Sequence, residues 1–107
     1  MKIDIFSDTV CPWCRIGKEN LFQALKLREQ TGTVDIRWRA FQLDPTTPKE
    51  GRPFHESLQA KFGGEDRMKE IFGQVCKVGE ACGLPFDFDK IDYSPNTLLS
   101  HQLIKIA

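Results

Sequence analysis

An α/β fold is predicted by three observations. Residues Lys2 to Phe6 alternate, with Ile3 and Ile5 set against Asp4. Residues Trp13 to Leu27 follow with a helical pattern, and Val34 to Phe41 alternate again. Strand, helix, strand over about 40 residues makes a βαβ unit, whose crossover is right-handed as a rule. The stretch Leu43-Asp44-Pro45-Thr46-Thr47-Pro48 then carries two prolines that continue neither strand nor helix. The expected organisation is therefore a βαβ unit over residues 1–44 and a helical segment over residues 45–107.

Each element has its own signal. In the first helix Trp13, Gly17, Leu21, Ala24 and Leu25 form a stripe flanked by Ile16 and Phe22, while Arg15, Lys18, Glu19, Lys26 and Glu29 lie off it. Gly17 in mid-helix points to close approach of helix and strand, and Thr31-Gly32 supplies a stop. In the second strand Val34, Ile36, Trp38 and Ala40 alternate with Asp35, Arg37, Arg39 and Phe41. That polar alternate face places the strand at a sheet edge. Beyond the linker, Pro53 to Phe62 repeats Phe54, Leu58 and Phe62 up to Gly63-Gly64. Asp66 to Cys82 carries Met68, Ile71, Phe72, Val75, Gly79 and Cys82 on one face. Leu84 to Asp89 reads as a loop with apolar anchors. Ser94-Pro95 reads as a cap and first turn for a helix with Leu99, Leu103 and Ile106 on one face. These stripes are read as helix packing.

The chemistry is expected at Cys11-Pro12-Trp13-Cys14, between the first strand and the first helix. Cys11 takes the N-cap, Pro12 the first helical position and Cys14 lies one turn in, within disulfide reach. The unpaired N–H groups and positive end of the helix favour a thiolate, so Cys11 is expected to be the acidic, attacking thiol and Cys14 the resolving one. A strand before and a helix after is the context of a redox dithiol. Pro12 and Trp13 tune the dithiol, and Trp13 either meets substrate or packs at the helix start.

The remaining candidates have bland readings beside the functional ones. Asp8 could touch the dithiol or cap the loop. His55 and His101 could serve as general bases or be satisfied core or surface histidines. Cys76 and Cys82, six apart on a helix, sit about 9 Å apart along the axis and cannot bridge without unwinding it. They are expected as free thiols, at least one buried. A zinc site from all four cysteines has poor spacing, and no metal is expected.

At Ser7-Asp8-Thr9-Val10-Cys11-Pro12-Trp13-Cys14-Arg15-Ile16-Gly17-Lys18 the chain resembles the DsbA-like oxidoreductases of the FrnE type. The stretches W-R-A-F-Q-L-D-P, K-F-G-G and S-P-N-T-L-L-S-H-Q-L-I resemble that family in the same order. The resemblance implies a thioredoxin fold with a helical insertion, of which this chain holds the first βαβ and part of the insertion. The C-terminal half of the fold, including a proline facing the dithiol, is expected to be absent. It further implies thiol–disulfide exchange by Cys11 and Cys14, with a disulfide- or dithiol-bearing protein or small molecule as partner. No bound cofactor is needed, though glutathione is possible as co-substrate. Related 2-hydroxychromene-2-carboxylate isomerases and kappa-class glutathione transferases usually carry Ser in place of Cys11. A glutathione-dependent enzyme of that type is the first alternative, and a non-catalytic CxxC metal or binding module the second.

Composition removes other classes. Lys plus Arg and Asp plus Glu are both 15 in 107 residues, so nothing suggests a nucleic-acid partner. No apolar run approaches membrane-spanning length, and no membrane partner is expected. The N-terminus runs straight into a strand without a signal-peptide pattern, which gives a cytoplasmic expectation. An unpartnered half-fold would expose a strand edge and apolar helix faces, so self-association of this chain is expected.

Overall fold

The computed structural model describes residues 1–28 and 32–107. They divide into two compact units: residues 1–45 with 97–107, and residues 46–96. The expected boundary after Asp44 corresponds to the first switch of unit. The last helix, however, groups with the βαβ residues and not with the helical segment.

In the first unit, β1 (Lys2–Ser7) and β2 (Asp35–Ala40) pair in parallel, from Lys2 opposite Asp35 to Ser7 opposite Ala40. The register is fixed from both ends: Asp35 N–H donates to Met1 O (2.9 Å), and Phe41 N–H donates to Ser7 O (3.2 Å). Between the strands runs α1 (Pro12–Leu27). Its buried residue is Ile16, with Phe22 and Leu25 half-buried, whereas Trp13, Gly17 and Ala24 are exposed. The packed face is thus rotated from the expected stripe. A Cβ on Gly17 would meet nothing within 4 Å, so close approach to a strand does not explain that glycine. The helix ends at Leu27 with Arg28 extended; Thr31 of the expected stop lies outside the described residues.

The first unit is completed by α4 (Leu98–Ile106). Its N-cap is Thr97, not Ser94. Ser94 is committed elsewhere, to a short antiparallel ladder of β3 (Arg52–Pro53) and β4 (Tyr93–Ser94) in the second unit. The helix opens only after Thr97, three residues beyond that ladder. The stripe expected to pack, Leu99, Leu103 and Ile106, is two-thirds exposed or more, while His101 on the same helix is buried.

The second unit holds α2 (Phe54–Phe62) and α3 (Glu65–Ala81), separated by Gly63 and Gly64, both at positive φ. Met68 and Val75 of α3 are its buried hydrophobic residues. Phe54, Phe72 and Phe88 stack with ring centroids 4.5–6.2 Å apart, and Phe86 continues the stack beside Phe88. Gly79 is closely approached: a Cβ there would lie 2.6 Å from the Phe86 ring and 2.7 Å from Leu84 O. The chain closes on itself where it enters and leaves this unit. Asn96 Nδ2 donates to Thr47 O (2.7 Å), and Phe54 N–H donates to Asp92 O (2.9 Å). No helix among the described residues is long and apolar enough to cross a membrane.

Candidate active site

β1 delivers the loop Asp8-Thr9-Val10, which turns the chain into α1. Cys11 N–H donates back to Asp8 O (3.4 Å), so the turn hands Cys11 to the helix as its N-cap. Its backbone is extended (φ −88°, ψ 113°), Pro12 fills the first helical position, and the Cys11 sulfur accepts the Cys14 N–H at 3.3 Å. A cap is ordinarily an oxygen that satisfies one of the helix's orphan donors. Here sulfur does so, and Cys11 and Cys14 are brought to one turn.

The two sulfurs share their charge unequally. Burial pushes the Cys11 thiol up, and the hydrogen bond and charge of Cys14 push it the same way. The N–H groups of Cys14 and Trp13 offset only part of this. At Cys14 burial also opposes ionisation, but it is outweighed. The Asp8 N–H, the Cys11 thiol and the Ser7 hydroxyl donate to the sulfur and hold it below the ordinary thiol range. The expectation that the helix N-terminus makes Cys11 the more acidic thiol is not met. Of the two thiols, Cys14 is eased toward ionisation and Cys11 is held back, with the Cys11 S–H donating to the Cys14 sulfur.

Beneath the loop lies a buried polar cluster that the sequence signalled only as single residues. Asp8 is 5% exposed and His101 8% exposed. One Asp8 oxygen takes the Thr9 N–H (2.8 Å) and His101 Nε2 (3.1 Å), and the other takes the Leu43 N–H (2.9 Å). The Thr97 hydroxyl also donates to Asp8, which is why it does not cap its own helix. Burial opposes ionisation of Asp8, but the donors from Leu43, Thr97, His101 and Thr9 prevail and hold its carboxyl below the usual range. Thr9 Oγ and Ser100 Oγ are 2.8 Å apart, and Ser100 Oγ donates to Thr97 O, adding a second tie between the loop and α4. The Ser7–Val10 loop is therefore pinned through Asp8 to residues far apart in sequence, while its Asp8 N–H serves Cys14. The signal available in the sequence was a polar residue three before Cys11 and a histidine on an apolar helix; their pairing required the fold.

Cys11, Cys14, Asp8 and His101 line one cleft of about 820 Å³, walled by Trp38, Arg39 and Ala40 of β2 and by Ile104 and Lys105 of α4. Trp13 is 46% exposed, a surface ring and not a packed one. His55, by contrast, is engaged in the second unit, edge-on to Phe54 and Phe72. All four cysteines carry free thiols. Cys76 donates to Phe86 O (3.6 Å) and Cys82 to Gly79 O (3.3 Å); both are half-buried, so neither is the fully buried thiol that was expected. Among the described residues no group of three or more His, Cys, Asp or Glu side chains could hold a metal ion.

Comparison with known proteins agrees in scale with this architecture. The family described as the DSBA-like thioredoxin domain matches residues 2–107. A crystal structure of a probable DsbA oxidoreductase, SCO1869 from Streptomyces coelicolor, superposes with a TM-score of 0.88 at 29% identity, over 100% of this chain and 46% of that one. The uncharacterized protein YwbO of Bacillus subtilis (strain 168) is 26% identical over 102 residues, which is 94% of this chain and 44% of that protein. The chain thus spans less than half the length of either.

Proposed function

From the premise that this chain belongs to the DSBA-like thioredoxin domain family and has its fold, we propose that Cys11 and Cys14 form a redox dithiol that exchanges with substrate disulfides. The observation that carries the reading is the capping geometry: two thiols on one helical turn, one accepting the other's N–H, at the mouth of a cleft. The likeness to a protein described as a probable DsbA oxidoreductase supports the same chemistry.

The charge distribution suggests how the exchange starts. Cys11 passes its proton to the Cys14 thiolate and attacks one sulfur of the substrate disulfide. A Cys11–substrate disulfide forms, the substrate S–S bond breaks, and one substrate thiolate leaves. Cys14 then loses that proton to solvent and attacks the Cys11 sulfur. The internal disulfide forms and the second substrate thiolate leaves. Two electrons pass from the dithiol to the substrate, and the reverse sequence oxidises a dithiol. The side chains of Asp8, His101 and Thr97 do not bond to the reacting sulfurs in this scheme; they hold the loop whose Asp8 N–H does.

Trapping tests the division of labour. Cys14→Ser, incubated with glutathione disulfide, should accumulate a stable mixed disulfide on Cys11, mapped by mass spectrometry. Cys11→Ser should accumulate far less. Equal trapping in both variants contradicts the assignment of the attacking sulfur, and trapping in neither contradicts the redox reading.

A further inference from the structure

The cleft beside the dithiol has a charge of its own. Four cationic side chains line it: Arg15 and Lys18 from α1, Arg39 from β2 and Lys105 from α4. Its one carboxylate, Asp8, is buried and already taken by its four hydrogen-bond partners. The whole chain has a formal net charge of zero, so this concentration of cations is local. Among the described residues Arg15, Lys18 and Lys105 form no ion pair, and Arg39 has only a long, half-exposed contact to Asp4 at 3.8 Å. Lys18 lies over the Phe22 ring, 5.4 Å from its centroid, which holds the ammonium without neutralising it. The positive end of α1 adds to the same field at Cys11. Two helices remote in sequence thus bring unpaired cations, and β2 a weakly paired one, to the cleft that holds the two sulfurs. The cleft also has an apolar side, with Trp38 and Ile104 exposed to it.

We infer that the cleft selects anionic disulfides, carrying carboxylates next to an apolar or aromatic body, over neutral ones of equal reactivity. The inference rests on the redox reading of Cys11 and Cys14 given above and names the substrate class for it. Two effects favour such a substrate. The field raises its concentration at the cleft, and this attraction depends on ionic strength. The cations also stay beside the anion while the thiolate attacks, offsetting the repulsion between two negative groups. The departing thiolate, one negative charge formed for each bond broken, leaves through the same positive surface.

Two coloured disulfides of similar leaving-group chemistry separate charge from reactivity: 5,5′-dithiobis(2-nitrobenzoate), a dianion, and 4,4′-dithiodipyridine, which is neutral. The reduced chain is reacted with each, quenched in acid, and the loss of free Cys11 and Cys14 mapped by mass spectrometry. Each rate is divided by that of the same chain unfolded in urea. At about 0.01 M salt, where the screening length is ~30 Å, the dianion-to-neutral ratio should be on the order of ten. At about 1 M salt, with a screening length of ~3 Å, it should fall toward one. Arg15→Glu with Lys18→Glu should lower the low-salt ratio about tenfold whatever happens to the absolute rates. A ratio near one at low salt, or one indifferent to salt and to the double variant, overturns the inference. If the neutral reagent produces no Cys11–Cys14 disulfide at all, the redox reading fails, and this inference with it; a disulfide formed with a ratio near one removes only the charge selectivity.

Discussion

The two units are held together by opposite means. The second has a stack of aromatic rings, with Phe54, Phe72, Phe86 and Phe88 in contact and Gly79 cut back to admit a ring. The first has a two-stranded sheet, one buried hydrophobic side chain among the described residues, Ile16, and a buried carboxylate wired to donors from residues 9, 43, 97 and 101. The stack is apolar and tolerant in direction; the polar cluster works only if every donor meets its acceptor. The candidate site sits in the second kind of environment. A site that must aim particular N–H groups at particular sulfurs gains more from directional bonds than from packing.

Removing the centre of each region should show this. Phe72→Ala deletes a ring that touches Phe54, Phe88 and His55, and should cost about 3 kcal/mol in denaturant unfolding. Asp8→Ala should cost about 2–3 kcal/mol, because it strands the Thr9 and Leu43 N–H groups and His101 without an acceptor. Only the second change should also alter the pH dependence of Cys14 alkylation, since only it frees the loop that serves Cys14. The reverse pattern, with Phe72→Ala moving the thiol profile and Asp8→Ala leaving it unmoved, would break the comparison.

Acid should weaken the polar cluster more than the aromatic stack. The Asp8 carboxyl is held below its ordinary 3.8 in the fold, by hydrogen bonds that outweigh the opposing effect of burial. A depressed carboxyl contributes stability that is present above the unfolded-state value and is lost as pH falls through 3.8 toward the folded-state value. Stability measured from about pH 6 down to about pH 2 should therefore fall in the lower part of that range, and Asp8→Asn should flatten the fall. An unchanged slope in Asp8→Asn would assign the acid sensitivity elsewhere.

Two of the helical glycines, Gly17 and Gly79, give the smallest and sharpest contrast. Gly79→Ala drives a methyl into the Phe86 ring and Leu84 O, and should destabilise by about 1–3 kcal/mol. Gly17→Ala meets open space and should stabilise by about 0.5–1 kcal/mol through helix propensity alone. The same substitution thus changes sign with the tertiary contact at each position.

Those glycines also mark what could be read from the chain alone. The βαβ order, the CxxC at the helix start and the helical pattern after Pro45 were legible because each rests on local periodicity and capping. Gly17 and Gly79 look alike in sequence, and only tertiary contact tells them apart. Ser94-Pro95 carried a genuine helix-start signal, yet Ser94 pairs with Arg52 and the helix opens at Thr97. Leu99, Leu103 and Ile106 spelled a packing stripe, yet the buried residue of that helix is His101, a position that periodicity would assign to the polar side. The site divides in the same way. Cys11 and Cys14 were legible from spacing, whereas the Asp8–His101 pair spans 93 residues and the easing of Cys14 toward ionisation depends on the Asp8 N–H, the Cys11 thiol and the Ser7 hydroxyl.

A redox titration of the four cysteines tests the central claim most directly. The chain is equilibrated across a series of glutathione and glutathione disulfide ratios, quenched in acid, and its thiols are alkylated and mapped. The account predicts one two-electron transition that joins Cys11 to Cys14, with Cys76 and Cys82 remaining alkylatable throughout. Oxidation of Cys76 or Cys82 before that pair, or a Cys11 and Cys14 that never join at any ratio, would contradict it.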